Sequence, residues 1–215
     1  PRALETDAQV AADAGVDIIF APSVDEMYPE GEPLIRISSG ELGNKFEGIT
    51  RPGHFDGVLT VVNKLFNIVR PAAGSHEVNA YFGQKDAQQV LLVQRMIHDF
   101  NHDITLRPVA IVRDDDGLAL SSRNEFLSEQ EREAALVISR TLALMRENSL
   151  NRGFESIDLE SARARINSTE GVRLDYLELV DPSNFQPPTA DSERVLALVA
   201  AYVGSTRLID NMDLL

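Results

Sequence analysis

Apolar residues in this chain recur in two rhythms. From Phe55 to Val69 the spacing is three and four, with Phe55, Val58, Leu59, Val62, Leu65, Phe66 and Val69 on one face. That pattern predicts an amphipathic helix, ended by Pro71. The same rhythm through Val90, Val93, Met96, Ile97 and Phe100 predicts a helix over roughly Asp86 to Phe100. Glu5 to Ala14 reads as a helix stopped by Gly15, and Ser128-Glu129-Gln130-Glu131 is a capping box opening a helix to about Asn148. Ser156 to Asn167 predicts one more helix.

The second rhythm is short and rich in β-branched residues. It predicts strands at Val16–Ala21, Leu34–Ser38, Val78–Phe82, Ile104–Val112, Val172–Val180, Arg194–Tyr202 and Thr206–Asp210. Pro22 to Pro33 reads as a loop with a turn at Tyr28-Pro29-Glu30-Gly31, and Asp114-Asp115-Asp116-Gly117 as a tight hairpin turn. Helix and strand alternate in the first half, which predicts an α/β, Rossmann-like doubly wound nucleotide-binding domain. The second half runs helices and then strands, a smaller α+β domain. The boundary is expected near Asp114, giving domains 1–113 and 114–215.

Charge narrows the function classes. Twenty basic residues against 34 acidic ones give a formal charge of -14, which argues against a nucleic-acid surface but leaves room for a local anion site. No apolar run approaches the roughly 20 residues of a membrane span, and no signal-peptide pattern opens the chain. With no cysteine, disulfide and thiolate chemistry are excluded. No membrane association and a cytoplasmic location are the expectations. The chain opens at Pro1, directly before a helix, and reads as a partial chain.

Three segments could carry chemistry. In Gly83-Gln84-Lys85-Asp86-Ala87-Gln88-Gln89, a glycine follows a strand and precedes a helix, the position where α/β sheets bind ligands. A helix N-terminus offers unpaired N–H groups to an anion, Lys85 adds a mobile charge for a phosphate, Asp86 can cap the helix or bind a ribose, and Gln89 offers an amide one turn in. Spacing alone fits a capped helix with a solvated lysine better than a phosphate site. Leu120-Ser121-Ser122-Arg123-Asn124 packs hydroxyls, a guanidinium and an amide after a strand, a set suited to triphosphate oxygens or to a polar loop leading into Ser128. His54, in Arg51-Pro52-Gly53-His54, stands where a long helix begins and could hold a carboxylate or be an exposed terminal histidine. Gly57 inside that helix pattern costs up to about 1 kcal/mol relative to Ala, which a close approach by a ligand or backbone would explain. His98 and His102 have metal-ligand spacing but fit a solvated helix end, and Asp114 to Asp116 fit turn chemistry better than a metal site.

Together the segments resemble the pantothenate synthetase family. The resemblance rests on Pro1-Arg2-Ala3-Leu4, Met27 to Gly31, Leu42 to Val62 with Glu47-Gly48 and Arg51-Pro52-Gly53-His54-Phe55, Asn63 to Phe66, and Val69-Arg70-Pro71. It continues through Tyr81 to Gln89, Arg113 with Asp116 to Asn124, Leu174 to Asp181, and Thr206 to Asn211. The resemblance implies an ATP-dependent ligase that joins pantoate to β-alanine through a pantoyl adenylate, releasing pyrophosphate and AMP, with Mg²⁺ on the phosphates. It implies Lys85, Ser121, Ser122 and Arg123 as the catalytic set on the phosphates, and Gly83, Asp86, Val112 and Leu120 as further ATP contacts. Gln89, His54, Val58, Val61 and Val62 are implied around pantoate, no metal ligand is assigned, and a homodimer is implied. The family's His-x-x-His segment and a second pantoate-binding glutamine are expected upstream of the point where this chain begins. Residues 72–79 are longer than the family's connection, with Gly74 to Glu77 an exposed loop. Two other readings share the pattern: another adenylate-forming nucleotidyltransferase, and a non-catalytic truncated remnant that binds a partner.

Overall fold

The computed structural model describes residues 4–71 and 77–215, so most of the Gly74–Glu77 loop lies outside the described residues. The chain divides into two compact units, Pro1–Arg36 and Ile37–Leu215. The expected boundary at 113/114 falls inside the second unit, at the hairpin turn.

The first unit holds helix α1 (Leu4–Asp13) and a single-turn helix α2 (Val24–Met27) within the predicted loop. Ser23 and Glu26 cap α2 reciprocally, a capping box hidden among loop residues. The predicted strand Val16–Ala21 is irregular chain without a ladder, and Leu34–Ser38, which spans the division between the units, bends at Leu34 and Ile35 and joins no ladder either. Ile18, Leu34 and Ile35 are largely exposed. Apolar, β-branched runs register propensity, whereas a strand exists only through its hydrogen-bonded neighbours, and among the described residues none pairs with either segment.

The second unit begins with α3 (Glu47–Thr50) and α4 (His54–Val69), then strand β1 (Asn79–Gly83), α5 (Ala87–Asp99) and β2 (Thr105–Val109). β1 and β2 pair in parallel across α5, with Asn79 opposite Thr105 and Gly83 opposite Val109, so this is a βαβ unit. β2 stops at Val109 rather than Val112 because its partner turns away after Gly83 into a 3₁₀ turn, Gln84–Asp86. Phe55, Leu59, Val62 and Phe66 of α4 interlock with Leu92, Val93 and Met96 of α5. Phe100, expected on the buried face of α5, is exposed: the helix ends at Asp99, and Asn101 follows with φ 53°.

Beyond the hairpin, where Arg113 bridges Ala119, come α6 (Glu129–Arg152), α7 (Leu159–Asn167) and strands β3 (Val172–Val180), β4 (Leu196–Val203) and β5 (Thr206–Asp213). The strands form an antiparallel sheet in the order β3-β4-β5. The Ser128 capping box is present, α6 runs one turn past the expected end, and β5 extends to Asp213 because it pairs with β4 back to Leu196. The apolar face of α6, with Ala135, Ile138, Leu142 and Met145, packs with Ile166 on the sheet residues Leu177, Val199 and Leu208. A third cluster, Ala87 and Leu91 with Val180, Phe185, Leu196 and Leu198, joins the start of α5 to the antiparallel sheet. The parallel α/β and antiparallel α+β parts thus match the fold class read from the sequence.

Leu142 is 0% exposed at the centre of the largest cluster. Leu142→Ala is expected to cost about 2–5 kcal/mol through lost burial and an unfilled cavity. A urea midpoint that falls without a change in slope checks this, and an unchanged midpoint would place Leu142 outside the cooperative core.

Candidate active site

A cleft lies at the carboxyl end of β1, enclosing about 540 Å³ of space continuous with solvent. Arg51, His54, Lys85, Asp86, Gln89 and Arg123 line it, together with Glu47, Gln88, Asp210 and Asn211. The 3₁₀ turn that follows β1 places Lys85 at the mouth of α5, and Gln89 stands one turn into that helix. Gly53, with φ +75°, swings the chain into α4 and sets His54 at its first position; a residue with a Cβ would be strained there.

A second, smaller cleft shares Lys85, Arg123 and Asp210, and adds Ser121 and Asn124. The loop holding them is ordered from within. Ser121 Oγ accepts the Arg123 N–H at 3.2 Å, and Asn124 Nδ2 donates to the Ala119 carbonyl at 3.0 Å. Arg123 Nη1 reaches the Arg207 carbonyl of β5 at 3.4 Å. The two sequence segments, 83–89 and 120–124, therefore share one site.

The remaining candidates stand elsewhere. Ser122 and Gly83 are exposed and line neither cleft. Val112 and Leu120 adjoin through the Leu120 N–H to Val112 carbonyl bond at 2.9 Å, both exposed. Val62 is buried in the α4–α5 core, with Val58 and Val61 packed against it. A Cβ on Gly57 would meet nothing within 4 Å, so no described backbone approaches it closely, which leaves approach by a ligand as the expected reason for that glycine. His102 Nε2 pairs with Asn63 Oδ1 at 2.9 Å and His98 Nδ1 with Asp99 at 2.9 Å. Asp114 and Asp116 hold Arg132, at 2.6 and 2.8 Å.

The walls of the main cleft are held by residues to which sequence reasoning gave no role. Gln88, buried, donates to the Leu42 and Lys45 carbonyls at 2.7 and 2.9 Å and accepts the Glu47 N–H at 3.1 Å. It folds segment 42–47 under α5. Gly48 is required by that fold, since a Cβ there would sit 1.8 Å from the Gly43 carbonyl oxygen. Arg207 on β5 grips Glu47 with two bonds, at 2.6 and 2.8 Å, and Asp175 on β3 at 2.8 and 3.0 Å. Burial opposes the charge of Arg207, but its hydrogen bonds to both carboxylates outweigh that and raise its pKa. Tyr176 donates to Glu47 at 2.9 Å; burial first, and then the Glu47 charge, pushes its phenol upward, so it stays a donor. Arg113 forks onto Asp210 at 2.7 and 2.9 Å. For those on β5 the signal was polarity inside a strand, where Arg207, Asp210 and Asn211 interrupt an apolar run.

Fold and cleft define an α/β protein with cationic side chains and a helix N-terminus gathered at the carboxyl end of a parallel strand, an arrangement that takes anionic or nucleotide ligands. The model of one family, described as pantoate-beta-alanine ligase, matches residues 1–213. The chain is 49% identical to the pantothenate synthetase of Paenarthrobacter aurescens over 100% of its own length and 76% of that protein. It is 48% identical to that of Corynebacterium glutamicum, covering 75% of that protein. The crystal structure of pantothenate synthetase from Thermus thermophilus superposes with a TM-score of 0.88 at 41% identity, over 100% of this chain and 75% of that one. The Francisella tularensis pantoate-beta-alanine ligase, complexed with beta-gamma ATP and beta-alanine, superposes at 0.74 with 36% identity, over 99% and 70%. The chain belongs to the pantoate–β-alanine ligase family.

Burial first, and then the Arg51 charge, lowers the His54 pKa below 6.5, while Asp86 and Glu47 oppose them. The unfolded chain therefore binds this proton more tightly. The His54 contribution to stability rises with pH through the lowered pKa, levels off above 6.5, and is lost toward acid. The ring is expected to titrate by NMR with a midpoint below 6.5, shifting upward in Arg51→Met. A midpoint at or above 6.5 would contradict this environment.

Proposed function

We propose that this protein condenses pantoate with β-alanine to pantothenate at the expense of ATP, through a pantoyl-adenylate intermediate. The observation that carries the reading is the meeting of Lys85 and Arg123 in one cleft at the carboxyl end of β1, in a chain of this family. In the first step a pantoate carboxylate oxygen attacks the α-phosphorus, the bond to the β-phosphate oxygen breaks, and pyrophosphate leaves. In the second step the β-alanine amine attacks the acyl carbon, AMP leaves with the electrons of the C–O bond, and the excess proton on nitrogen passes to water. Neither step needs a covalent link to the protein; positioning and charge do the work.

Lys85 is assigned to the phosphates and the charge that develops at phosphorus. Ser121, Ser122 and Arg123 are assigned to the leaving pyrophosphate, which the 120–124 loop covers. Gly83, Asp86, Val112 and Leu120 are assigned to the nucleoside. Gln89 and His54 are assigned to pantoate, and Val58 and Val61, partly buried on α4, to its gem-dimethyl side, with Val62 behind them in the α4–α5 core. The division at 113/114 then separates the lysine wall from the loop that closes on it. No group of three or more His, Asp or Glu side chains fit for a metal occurs among the described residues. Mg²⁺ is assigned to the nucleotide phosphates on the family resemblance, where it would neutralise their charge. A homodimer, which rests on the family resemblance, and a cytoplasmic location, the expectation from composition, complete the reading. No helix among the described residues is long and apolar enough to cross a membrane.

The test is AMP formation by the purified protein with ATP, Mg²⁺, pantoate and β-alanine, each acid omitted in turn. AMP is expected only with both acids, and Lys85→Ala should lower kcat by about 10²- to 10³-fold, the range for removing one stabilising donor. AMP that forms without pantoate would assign a different acid. Absence of AMP with both acids would leave only a binding role.

A further inference from the structure

The lysine assigned to the phosphates sits on a short 3₁₀ turn that no side chain of its own caps. The 3₁₀ turn Gln84–Asp86 has no side-chain cap, and neither does the start of α5 at Asp86, where φ is -92° and ψ 61°. Lys85 is followed by an irregular residue before regular helix begins. Side-chain support for the carbonyls of this turn comes from outside it.

That support is Asn211 on β5. Its Nδ2 donates to the Gln84 carbonyl at 2.9 Å and to the Lys85 carbonyl at 3.0 Å. The side chain is 2% exposed, so both bonds lie out of water. An amide oxygen in the same place would face two carbonyl oxygens, and the partners therefore fix which way the amide points. The Asn211 N–H donates to Asp210 Oδ1 at 2.8 Å, and Asp210, 5% exposed, is itself clamped by the Arg113 fork. Arg113 also donates to the Gly117 carbonyl at 3.2 Å, in the hairpin that leads to the 120–124 loop. One chain of bonds thus runs from the base of that loop through Arg113, Asp210 and Asn211 to the backbone of the lysine turn.

We propose that Asn211 is a positioning residue for Lys85: it fixes the backbone from which the lysine reaches the phosphates and ties that position to the loop carrying Ser121 and Arg123. The inference rests on the ATP-ligase reading above and deepens it. A merely structural asparagine would affect stability alone. A positioning residue acts through Lys85 and loses its effect once the lysine's charge is gone.

A double-mutant cycle with Asn211→Leu and Lys85→Met separates the two. Leucine is near-isosteric and uncharged and lacks the donor; if it fails to fold by circular dichroism, Asn211→Ala completes the same cycle. Pantoate-dependent pyrophosphate release and MgATP affinity are measured in all four proteins. Asn211→Leu alone is expected to lower kcat by about 10- to 100-fold, the scale of an ångström misplacement, with KM for pantoate nearly unchanged. MgATP affinity should fall as well. In the Lys85→Met background, Asn211→Leu should change MgATP affinity by less than about twofold, since coupled residues do not add. Equal losses in both backgrounds, or full activity of Asn211→Leu, would overturn the proposal. If the unmodified protein releases no pyrophosphate, the ligase reading fails separately, and the MgATP cycle alone decides the role of Asn211.

Discussion

The cleft depends on a partly buried polar seam between strand β5 and the segments that carry the site. Arg207 holds Glu47 ahead of α4, Asn211 holds the lysine turn ahead of α5, and Asp210 holds Arg113 at the start of the hairpin. All three contacts join residues far apart in the chain, and each runs through one eight-residue strand. Desolvating charges is costly, and a buried pair that loses one partner leaves the other stranded at about 3–5 kcal/mol. Such pairs add less to net stability than to definition of geometry. Here they specify a single register between the βαβ unit and the antiparallel sheet, and the cleft is the space that this register leaves open.

The chemistry follows from that constraint. Acyl transfer through an adenylate asks a protein to hold three charged reactants in line and to stabilise charge at phosphorus, with no covalent participation. The mobile groups of the site, Lys85, Arg123, Gln89 and His54, all project from backbone fixed by the seam or by helix starts. Burial and the Arg51 charge favour the neutral form of the His54 imidazole, so it meets a ligand oxygen by hydrogen bonding and leaves the positive charge to the neighbouring cations. The helix N-terminus of α5 contributes its own field in the same direction.

Much of this was legible beforehand, for a physical reason. Helices α4, α5 and α6 announce themselves because a buried face at 3.6-residue spacing is a local property, and the Ser128 box marks its own terminus. Lys85 and Ser121 were candidates because loops after strands are where ligands bind, but spacing left a capped helix and a polar loop open, and the family resemblance carried the choice. Residues 16–21 and 34–38 misled because apolar β-branched runs look the same whether or not a neighbouring strand exists. Gln88 was overlooked in favour of Gln89 because a buried amide is recognisable only through its partners, the Leu42 and Lys45 carbonyls, which are distant in the chain. Asn211 and Arg207 were visible as letters in a matching segment, but their work is long-range pairing, which periodicity does not encode.

The most direct test of the central claim follows an oxygen atom. Pantoate labelled with ¹⁸O in its carboxylate is turned over with ATP, Mg²⁺ and β-alanine, and the nucleotide products are read by mass spectrometry. Attack of the carboxylate on the α-phosphorus predicts one labelled oxygen in each AMP formed, with the other retained in the amide of the product. Unlabelled AMP, or label appearing in inorganic phosphate together with ADP, would contradict the adenylate route and with it the roles assigned to Lys85 and Arg123.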